Sequence, residues 1–268
     1  MRLALTGLVL LAGLSSAACS ASEAVTEPPV DEPTPFEPAP PSPPPPAPEA
    51  RKPLAPPPPD VSDETFAEVV YVLMRDRKFD LWFCTGTLVA KDRVVTAAHC
   101  LDPQMFVAYE VVAPLAPSRP SVSASDPRLF GGDFELVENP DIGFLTLDTP
   151  IALPTYAQLT DVVARVESGE ALTAAAVVRT KEEPEAPLAL SQHLLLTSTV
   201  HLGYAYGFGT PYFSKGGDSG AGLFLVEDGK PTHKLIGVAR QPEPDRDLDH
   251  FTRIGAPFLD WYHAADDL

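Results

Sequence analysis

Three short motifs carry a histidine, an aspartate and a serine in that order along the chain. TAAHC contains His99, DIGFLTL begins at Asp141, and GGDSG contains Ser219. A serine hydroxyl is a weak nucleophile at neutral pH and needs a base within hydrogen-bond reach, a task that suits histidine. A carboxylate then holds the imidazole in the required tautomer and stabilises its cation. These residue types together indicate acyl-transfer chemistry.

Each motif also has a structural interpretation when it is taken alone. An isolated His99 is typical of a hydrogen-bonded core histidine, and Asp141 directly after an Asn-Pro pair is typical of a turn. The glycines around Ser219 are typical of a loop, although they also leave the backbone free to aim N–H groups at a developing oxyanion. Because all three motifs occur together on one chain, the catalytic interpretation is favoured.

The elements that must position these residues are predicted to be strands. From residue 61 onward, short runs rich in β-branched and aromatic residues alternate with Gly, Pro and Asp, a pattern typical of an all-β sandwich or barrel. Near the end of the chain, Pro257 can open a helix with an apolar face of Phe258, Leu259, Trp261 and Tyr262. The predicted strands cover 69–73, 81–83, 94–96, 106–109, 142–147, 174–178, 193–200, 222–226 and 235–239.

The order TAAHC, DIGFLTL and GDSG resembles the chymotrypsin/trypsin family of serine peptidases, over roughly residues 66–263. The resemblance implies an all-β fold of two packed antiparallel six-stranded β-barrels with a C-terminal helix. It implies that Ser219 is the nucleophile, His99 the general base and acid, and Asp141 the orienting carboxylate. A peptide or protein substrate is expected, and no cofactor and no metal.

The resemblance also assigns supporting roles around the three residues. The backbone N–H groups of Gly217 and Ser219 would form the oxyanion hole. Cys84 and Cys100 match the disulfide beside the catalytic histidine. Lys215 stands where many family members have a cysteine, so a disulfide of the second barrel is missing.

Two departures from the family pattern concern activation and substrate geometry. Asp218 matches the aspartate that pairs with a newly exposed N-terminal amine in activated zymogens, yet residues 57–61 contain no Ile-Val-Gly-Gly-like start after a basic residue. Either the site forms without that ion pair or a different cut activates it. Arg240, Gln241 and Pro242 replace the usual Ser-Trp-Gly, and Pro242 removes a donor from the strand that normally bonds the substrate backbone.

Three residues are candidates for the primary substrate pocket. The family pattern places Phe213 near its base, where an aromatic ring provides no carboxylate for Lys or Arg. Asp249 would lie on an adjacent wall, where a carboxylate can receive a basic side chain unless Arg240 reaches and neutralises it. Alternatively, Asp249 is a solvated loop residue. The sequence leaves a basic preference and a small or apolar preference both open.

The first 60 residues predict export rather than catalysis. Residues 1–18 have the basic start, apolar run and small-residue end of a signal peptide, and the run is too short for a membrane span. Cys19 follows in a context resembling the lipobox of bacterial lipoproteins, which predicts lipidation, although ordinary cleavage and secretion is the alternative. Ser20 suits sorting to an outer membrane. We therefore expect an exported protein, anchored to the outer membrane or cell surface.

The segment 19–60 is predicted to be a disordered spacer between anchor and domain. Of the chain's 32 prolines, 17 lie between Pro28 and Pro59, and such a segment favours polyproline II over packed structure. Fully extended, it reaches roughly 100 Å. Proline-recognising modules are an alternative partner. The peptidase-like domain is then residues 61–268.

The net charge of −18 argues against nucleic-acid binding, which needs a basic face. The remaining expectation is a monomer whose only membrane contact is the lipid anchor. Two functions of different classes stay open: an active endopeptidase, or a pseudoprotease that keeps the fold as a binding module at the cell surface. A weaker third has the Pro-rich segment as the main functional part.

Overall fold

The computed structural model describes residues 66–265. The predicted signal peptide at 1–18, Cys19 and the predicted linker at 19–60 lie outside the described residues. Within residues 66–265, no helix combines the length and the hydropathy that a membrane crossing requires.

The first half forms a closed antiparallel barrel in the hydrogen-bonded order β1-β2-β3-β6-β5-β4. Its longest ladder joins the first two strands, where Val72 lies opposite Cys84. The fifth strand contains Pro127, which has no N–H to donate. Its pairing with the sixth strand shifts register between Ser125 and Arg128, so that no ladder bond is needed at the proline. The six strands are β1 Val69–Asp76, β2 Leu81–Ala90, β3 Arg93–Thr96, β4 Phe106–Val112, β5 Ser121–Leu129 and β6 Gly143–Leu147.

The second half is a nine-stranded sheet. Its main path runs β10-β8-β13-β14-β15-β12-β11, while β9 pairs with β8 and the short β7 pairs in parallel with β14. The strands are β7 Gln158–Leu159, β8 Thr173–Arg179, β9 Leu188–Leu190, β10 Leu194–Leu195, β11 Thr197–Ser198, β12 Gly207–Pro211, β13 Gly222–Glu227, β14 Lys230–Glu243 and β15 Leu248–Arg253.

In the part of the chain that the structure describes, two α-helices accompany the sheets: α1, Val163–Glu167, and α2, Ala256–Ala264. The predicted C-terminal helix is confirmed, with Pro257 in its first turn. Phe258 and Tyr262 are buried, because α2 packs its aromatic side onto Phe130 and Phe144.

Side chains point alternately to the two faces of each strand and form three buried apolar layers. On β1, Val70 and Val72 point into the first barrel, while Val69 and Tyr71 point to the layer shared with the second half. On β13, Leu223 belongs to the core of the second sheet instead. Since successive strand residues face opposite sides, each strand at the junction buries both faces. The predicted all-β, two-barrel fold is confirmed, with nine strands in the second half where six were expected. The shared apolar layer packs the two halves against each other.

Candidate active site

His99 lies in a short 3-10 turn, Ala98–Leu101, directly after β3. Cys100 and Leu101 in this turn are fully buried. A disulfide joins Cys100 to Cys84 on β2, with the Cα atoms 6.4 Å apart, so the predicted pairing is confirmed. The turn is therefore fixed to the barrel, while the His99 side chain stays 34% exposed and faces a cleft.

Asp141 supplies both of its carboxylate oxygens to His99. One oxygen accepts the backbone N–H of His99 at 2.9 Å, and the other lies 2.7 Å from the imidazole Nδ1. A carboxylate accepts hydrogen bonds, so Nδ1 carries the proton and Nε2 is left to act as a base. The Asp141 N–H donates to the hydroxyl of Thr252 on β15 at 3.3 Å, which ties the pair to the second half.

Ser219 reaches the same cleft from the second half. Its carbonyl accepts the N–H of Thr85 on β2 at 2.8 Å, which fixes the turn against the first barrel. The next residue, Gly220, has a φ of +78°, and a Cβ there would overlap the carbonyl of Thr85. Ser219 and His99 both line a cleft of about 400 Å³. The structure thus brings the three sequence-predicted residues to one place at the junction.

The backbone beside Ser219 has the form expected of an oxyanion hole. Gly217 has a φ of +89°, and a Cβ there would overlap the ring of Phe83. The Gly217 carbonyl accepts the hydroxyl of Thr85 at 2.9 Å, which fixes the orientation of the turn. Within residues 66–265, neither the N–H of Gly217 nor that of Ser219 has a hydrogen-bond partner. Two backbone donors of this turn are therefore free for a developing oxyanion.

Asp218 holds this turn from inside the protein. It is fully buried; one carboxylate oxygen accepts the N–H of Arg179 at 2.8 Å and the other the N–H of Lys215 at 3.0 Å. The ammonium of Lys215 lies 3.4 Å away. Burial raises the pKa of Asp218, while Lys215 and the backbone donors oppose that shift. Partners for this carboxylate thus come from the described domain itself, without a terminal amine.

Sequence reasoning missed Arg179, which lies under the same turn. Its guanidinium is fully buried and donates to the Cys84 carbonyl at 2.7 Å and the Thr85 hydroxyl at 3.1 Å. It also stacks over the ring of Tyr71, 4.6 Å from the centroid. Burial lowers the pKa of Arg179 to about 10, opposed by nearby Asp218. The one signal in the sequence was a charged residue ending the apolar run 174–178.

The prediction for Asp249 needs correction. It is neither a solvated loop residue nor a free pocket carboxylate, because it lies in β15 with 1% of its surface exposed. Its oxygens accept the N–H groups of Phe213 and Ser214, both at 2.8 Å, and the Ser214 hydroxyl at 2.7 Å. Burial raises the pKa of Asp249, against these donors. Asp249 positions the Phe213–Ser214 segment rather than facing a substrate.

The alternative in which Arg240 reaches and neutralises Asp249 does not match the structure. The guanidinium of Arg240 donates to four carbonyls of a single loop, 134–139, those of Phe134, Leu136, Val137 and Asn139, at 2.8–3.2 Å. Arg240 is 7% exposed. It therefore organises the loop that carries Phe134 into the cleft and leads into Asp141.

One other grouping near the site has a simple explanation. The side chains of Cys84, His99 and Cys100 offer ligand atoms within 4.8 Å of one another. Because the two sulfurs are bonded to each other, they do not provide the thiolates that bind zinc.

Comparisons with known proteins agree with this architecture. Residues 66–182 match the family model described as Trypsin. No curated protein sequence matches the chain significantly.

Three solved structures illustrate the similarity of fold. HL collagenase aligns with a TM-score of 0.62 at 13% identity, covering 78% of this chain and 97% of that one. Protease Anisep from Arthrobacter nicotinovorans gives 0.58 at 14%, covering 76% and 97%. The scabies mite inactivated protease paralogue S-I1 gives 0.58 at 19%, covering 78% and 97%. At these identities the likeness establishes the fold.

Proposed function

We propose that this chain, whose fold is that of the chymotrypsin/trypsin-like serine peptidases, is an exported endopeptidase that hydrolyses peptide bonds through an acyl-enzyme on Ser219. The observation that carries the proposal is the contact of 2.7 Å between His99 and Asp141, in which His99 lines one cleft with Ser219. A buried carboxylate, an oriented imidazole and a hydroxyl at the junction of two barrels are the parts that acyl transfer requires.

In the first half-reaction, His99 accepts the proton of Ser219 as the hydroxyl oxygen attacks the scissile carbonyl. The negative charge on the carbonyl oxygen is received by the N–H groups of Gly217 and Ser219. Asp141 stabilises the imidazolium, which then gives its proton to the leaving amine. Water repeats the sequence in the second half-reaction, with His99 as base, and releases the acid.

The buried charges under the turn support this role for the oxyanion donors. Asp218 and Arg179 fix the backbone on either side of Gly217 through bonds within the domain. Donors that are fixed before the reaction stabilise developing charge without reorganising during it.

The primary pocket is proposed to prefer small or apolar side chains. Phe213 lies in the segment next to the nucleophile, and the Asp249 carboxylate is saturated by three donors from that segment. Asp249 is therefore not accessible to a basic substrate side chain. Profiling with a peptide library tests this, and predominant cleavage after Lys or Arg would contradict it.

A binding module without catalysis is the second candidate. Pro242 lies in β14 opposite Asp249 and has no N–H for a substrate backbone, and one protein of similar fold is an inactivated protease paralogue. The intact His99, Asp141 and Ser219 set favours the peptidase.

A fluorophosphonate probe separates the two candidates. The phosphonyl group bonds covalently to a serine only where the hydroxyl is activated and the oxyanion is stabilised. We expect stoichiometric labelling of Ser219, none in Ser219→Ala, and strongly slowed labelling in His99→Ala. A folded wild-type protein that stays unlabelled and cleaves no peptide of the library is the binding module.

A further inference from the structure

The cleft that holds His99 and Ser219 has an apolar wall that the triad does not use. Its volume of about 400 Å³ lies in the range of small-molecule and side-chain pockets. Apart from the disulfide and His99, the apolar lining comes from Met74, Trp82, Phe83, Met105, Phe106 and Phe134.

Two of these side chains are exposed well beyond what is usual for large apolar residues. Trp82, near the start of β2, is 47% exposed, and Met105, just before β4, is 45% exposed. The Trp82 ring meets Phe106 edge-on at 6.3 Å, and Phe106 in turn meets Tyr109 at 6.4 Å. The wall is thus supported from behind while its outer face is open to a ligand.

The position of this wall relative to His99 tells which part of a substrate reaches it. The acyl group is bonded to Ser219, and His99 gives its proton to the departing amine. The cleft continues from His99 over the disulfide onto the first barrel, whereas the Phe213–Ser214 segment belongs to the second half. Resting on the proposed function, the wall therefore faces the residue that carries the departing amine.

Charge limits what this cleft accepts. The acidic residues Asp102 and Glu135 are among those that line it, in a chain with a net charge of −18. An acidic side chain brought between them is repelled and loses hydration. An aromatic or leucine side chain instead removes the exposed faces of Trp82 and Met105 from water.

We propose that this cleft selects substrates with a large apolar residue directly after the scissile bond. Trp82 and Met105 determine the selectivity by packing on that side chain, and Glu135 with Asp102 excludes acidic residues.

Acyl transfer to added amines tests the proposal without knowledge of the primary pocket. The acetyl group of p-nitrophenyl acetate passes to the Ser219 oxygen and releases p-nitrophenolate. The free amine of an amino acid amide, or water, then attacks the acetyl carbon, and the Ser219 oxygen leaves and regains a proton through His99. The products are the N-acetyl amino acid amide or acetate, and their ratio measures binding on the departing side.

We expect Phe-amide and Leu-amide to capture the acetyl-enzyme about tenfold better than Ala-amide, the size of effect that burying a large apolar side chain gives. Asp-amide should be the poorest acceptor. In Trp82→Ala and separately in Met105→Ala, the ratio of Phe-amide to Ala-amide capture should fall towards one. Leu195→Ala is the matched control, since Leu195 is 50% exposed outside this cleft, and it should keep the wild-type ratio.

The outcomes are distinguishable. If p-nitrophenolate is released through Ser219 but capture does not depend on the amide, or favours Arg-amide, the inference is overturned while the proposed function stands. If no acetyl-enzyme forms on a folded protein, the proposed function fails and the inference falls with it.

Discussion

At the scale of single residues, the Asp141 side chain serves to orient His99. It is 2% exposed, and both of its oxygens are engaged by His99. An asparagine at this position can donate its amide N–H to Nδ1, which would place the imidazole proton on Nε2 and remove the base.

Asp141→Asn should therefore lower kcat by about four orders of magnitude while the fold is kept. Turnover of a cleaved peptide, with circular dichroism as the check on folding, measures this. Asp148→Asn is the matched control, because Asp148 is an exposed carboxylate that accepts a hydrogen bond from Ser125. The kcat of this variant should equal that of the wild type. A folded Asp141→Asn protein with wild-type kcat would remove Asp141 from the mechanism.

Asp218 bears on the question of activation. Because its oxygens are occupied by Arg179 and Lys215 within the domain, we expect activity without a newly exposed N-terminal amine. Protein whose N-terminal amine is acetylated should titrate the same fraction of active sites as unblocked protein.

Variants at Lys215 sharpen this prediction. Lys215→Ala should lower kcat several-fold, since it removes the ammonium nearest the Asp218 carboxylate, while Lys215→Arg should retain most activity. Active sites that appear only after a cut exposing a free amine would show instead that the described bonds are insufficient.

At the scale of elements, Arg240 on β14 and the loop 134–139 form one unit. The loop is held by four hydrogen bonds from a single guanidinium. Because a planar guanidinium presents several donors in a fixed fork, a lysine ammonium does not reproduce this pattern.

Arg240→Ala should lower the free energy of unfolding by about 2 kcal/mol or more, because hydrogen bonds from a charged donor are among the stronger ones. It should also raise KM, since Phe134 would lose its fixed place in the cleft. Arg240→Lys should give an intermediate result. Urea unfolding and steady-state kinetics measure both effects.

The control for Arg240 is Arg165→Ala, which removes an exposed ion pair with Glu170. Such pairs contribute about 0–1 kcal/mol. Equal unfolding free energies for Arg165→Ala and Arg240→Ala would mean that the guanidinium does not hold the loop.

At the scale of the whole molecule, stability should depend on pH through His250. Its side chain is fully buried, it stacks on Tyr204 at 3.7 Å, and Glu243, Arg240 and Asp249 are the charged groups around it. Burial lowers the pKa of His250, an effect that Glu243 opposes. Its Nε2 lies 3.4 Å from a carboxylate oxygen of Glu243, a long contact that compensates only part of the burial.

With the folded pKa below the unfolded one, the unfolded state binds the proton first as the pH falls. His250 therefore contributes stability above its unfolded pKa of 6.5 and loses it as the pH falls towards the folded pKa. His250→Phe keeps the stacking and removes the titration. Between pH 7.5 and pH 5, the variant should lose less free energy of unfolding than the wild type, and parallel losses would contradict this.

The attachment of the molecule is a separate proposal, which concerns residues outside 66–265. We propose that export leaves Cys19 as a lipidated first residue, with the Pro-rich segment as the spacer to the domain. Mass spectrometry of the mature N-terminus should find a diacylated or triacylated Cys19, and Cys19→Ala should release the protein from membranes. An unmodified mature N-terminus at another residue would reject the anchor.

The sequence alone determined the features that depend on neighbours along the chain. The three motifs stand in family order, and apolar alternation predicted strands such as β1, β3 and β13 together with the helix opened by Pro257. Strands with little apolar pattern escaped prediction: β5 is mostly polar and contains Pro127, and β15 carries charged residues within a fully paired sheet. They are strands because partners far along the chain pair with them, which local propensity does not record.

Only the tertiary structure decided what the charged residues do. Asp249 and Arg240 are the clearest examples, because a count from the motifs placed both in a substrate pocket. In the structure, Asp249 accepts hydrogen bonds from the Phe213–Ser214 segment. Arg240 donates hydrogen bonds to the loop 134–139. Arg179 is hydrogen-bonded to Asp218, which lies 39 residues further along the chain. Arg240 is hydrogen-bonded to a loop that lies about 100 residues before it. A charged side chain is buried only where folding brings it enough partners to replace water, and those partners come from sheets that the sequence does not place side by side.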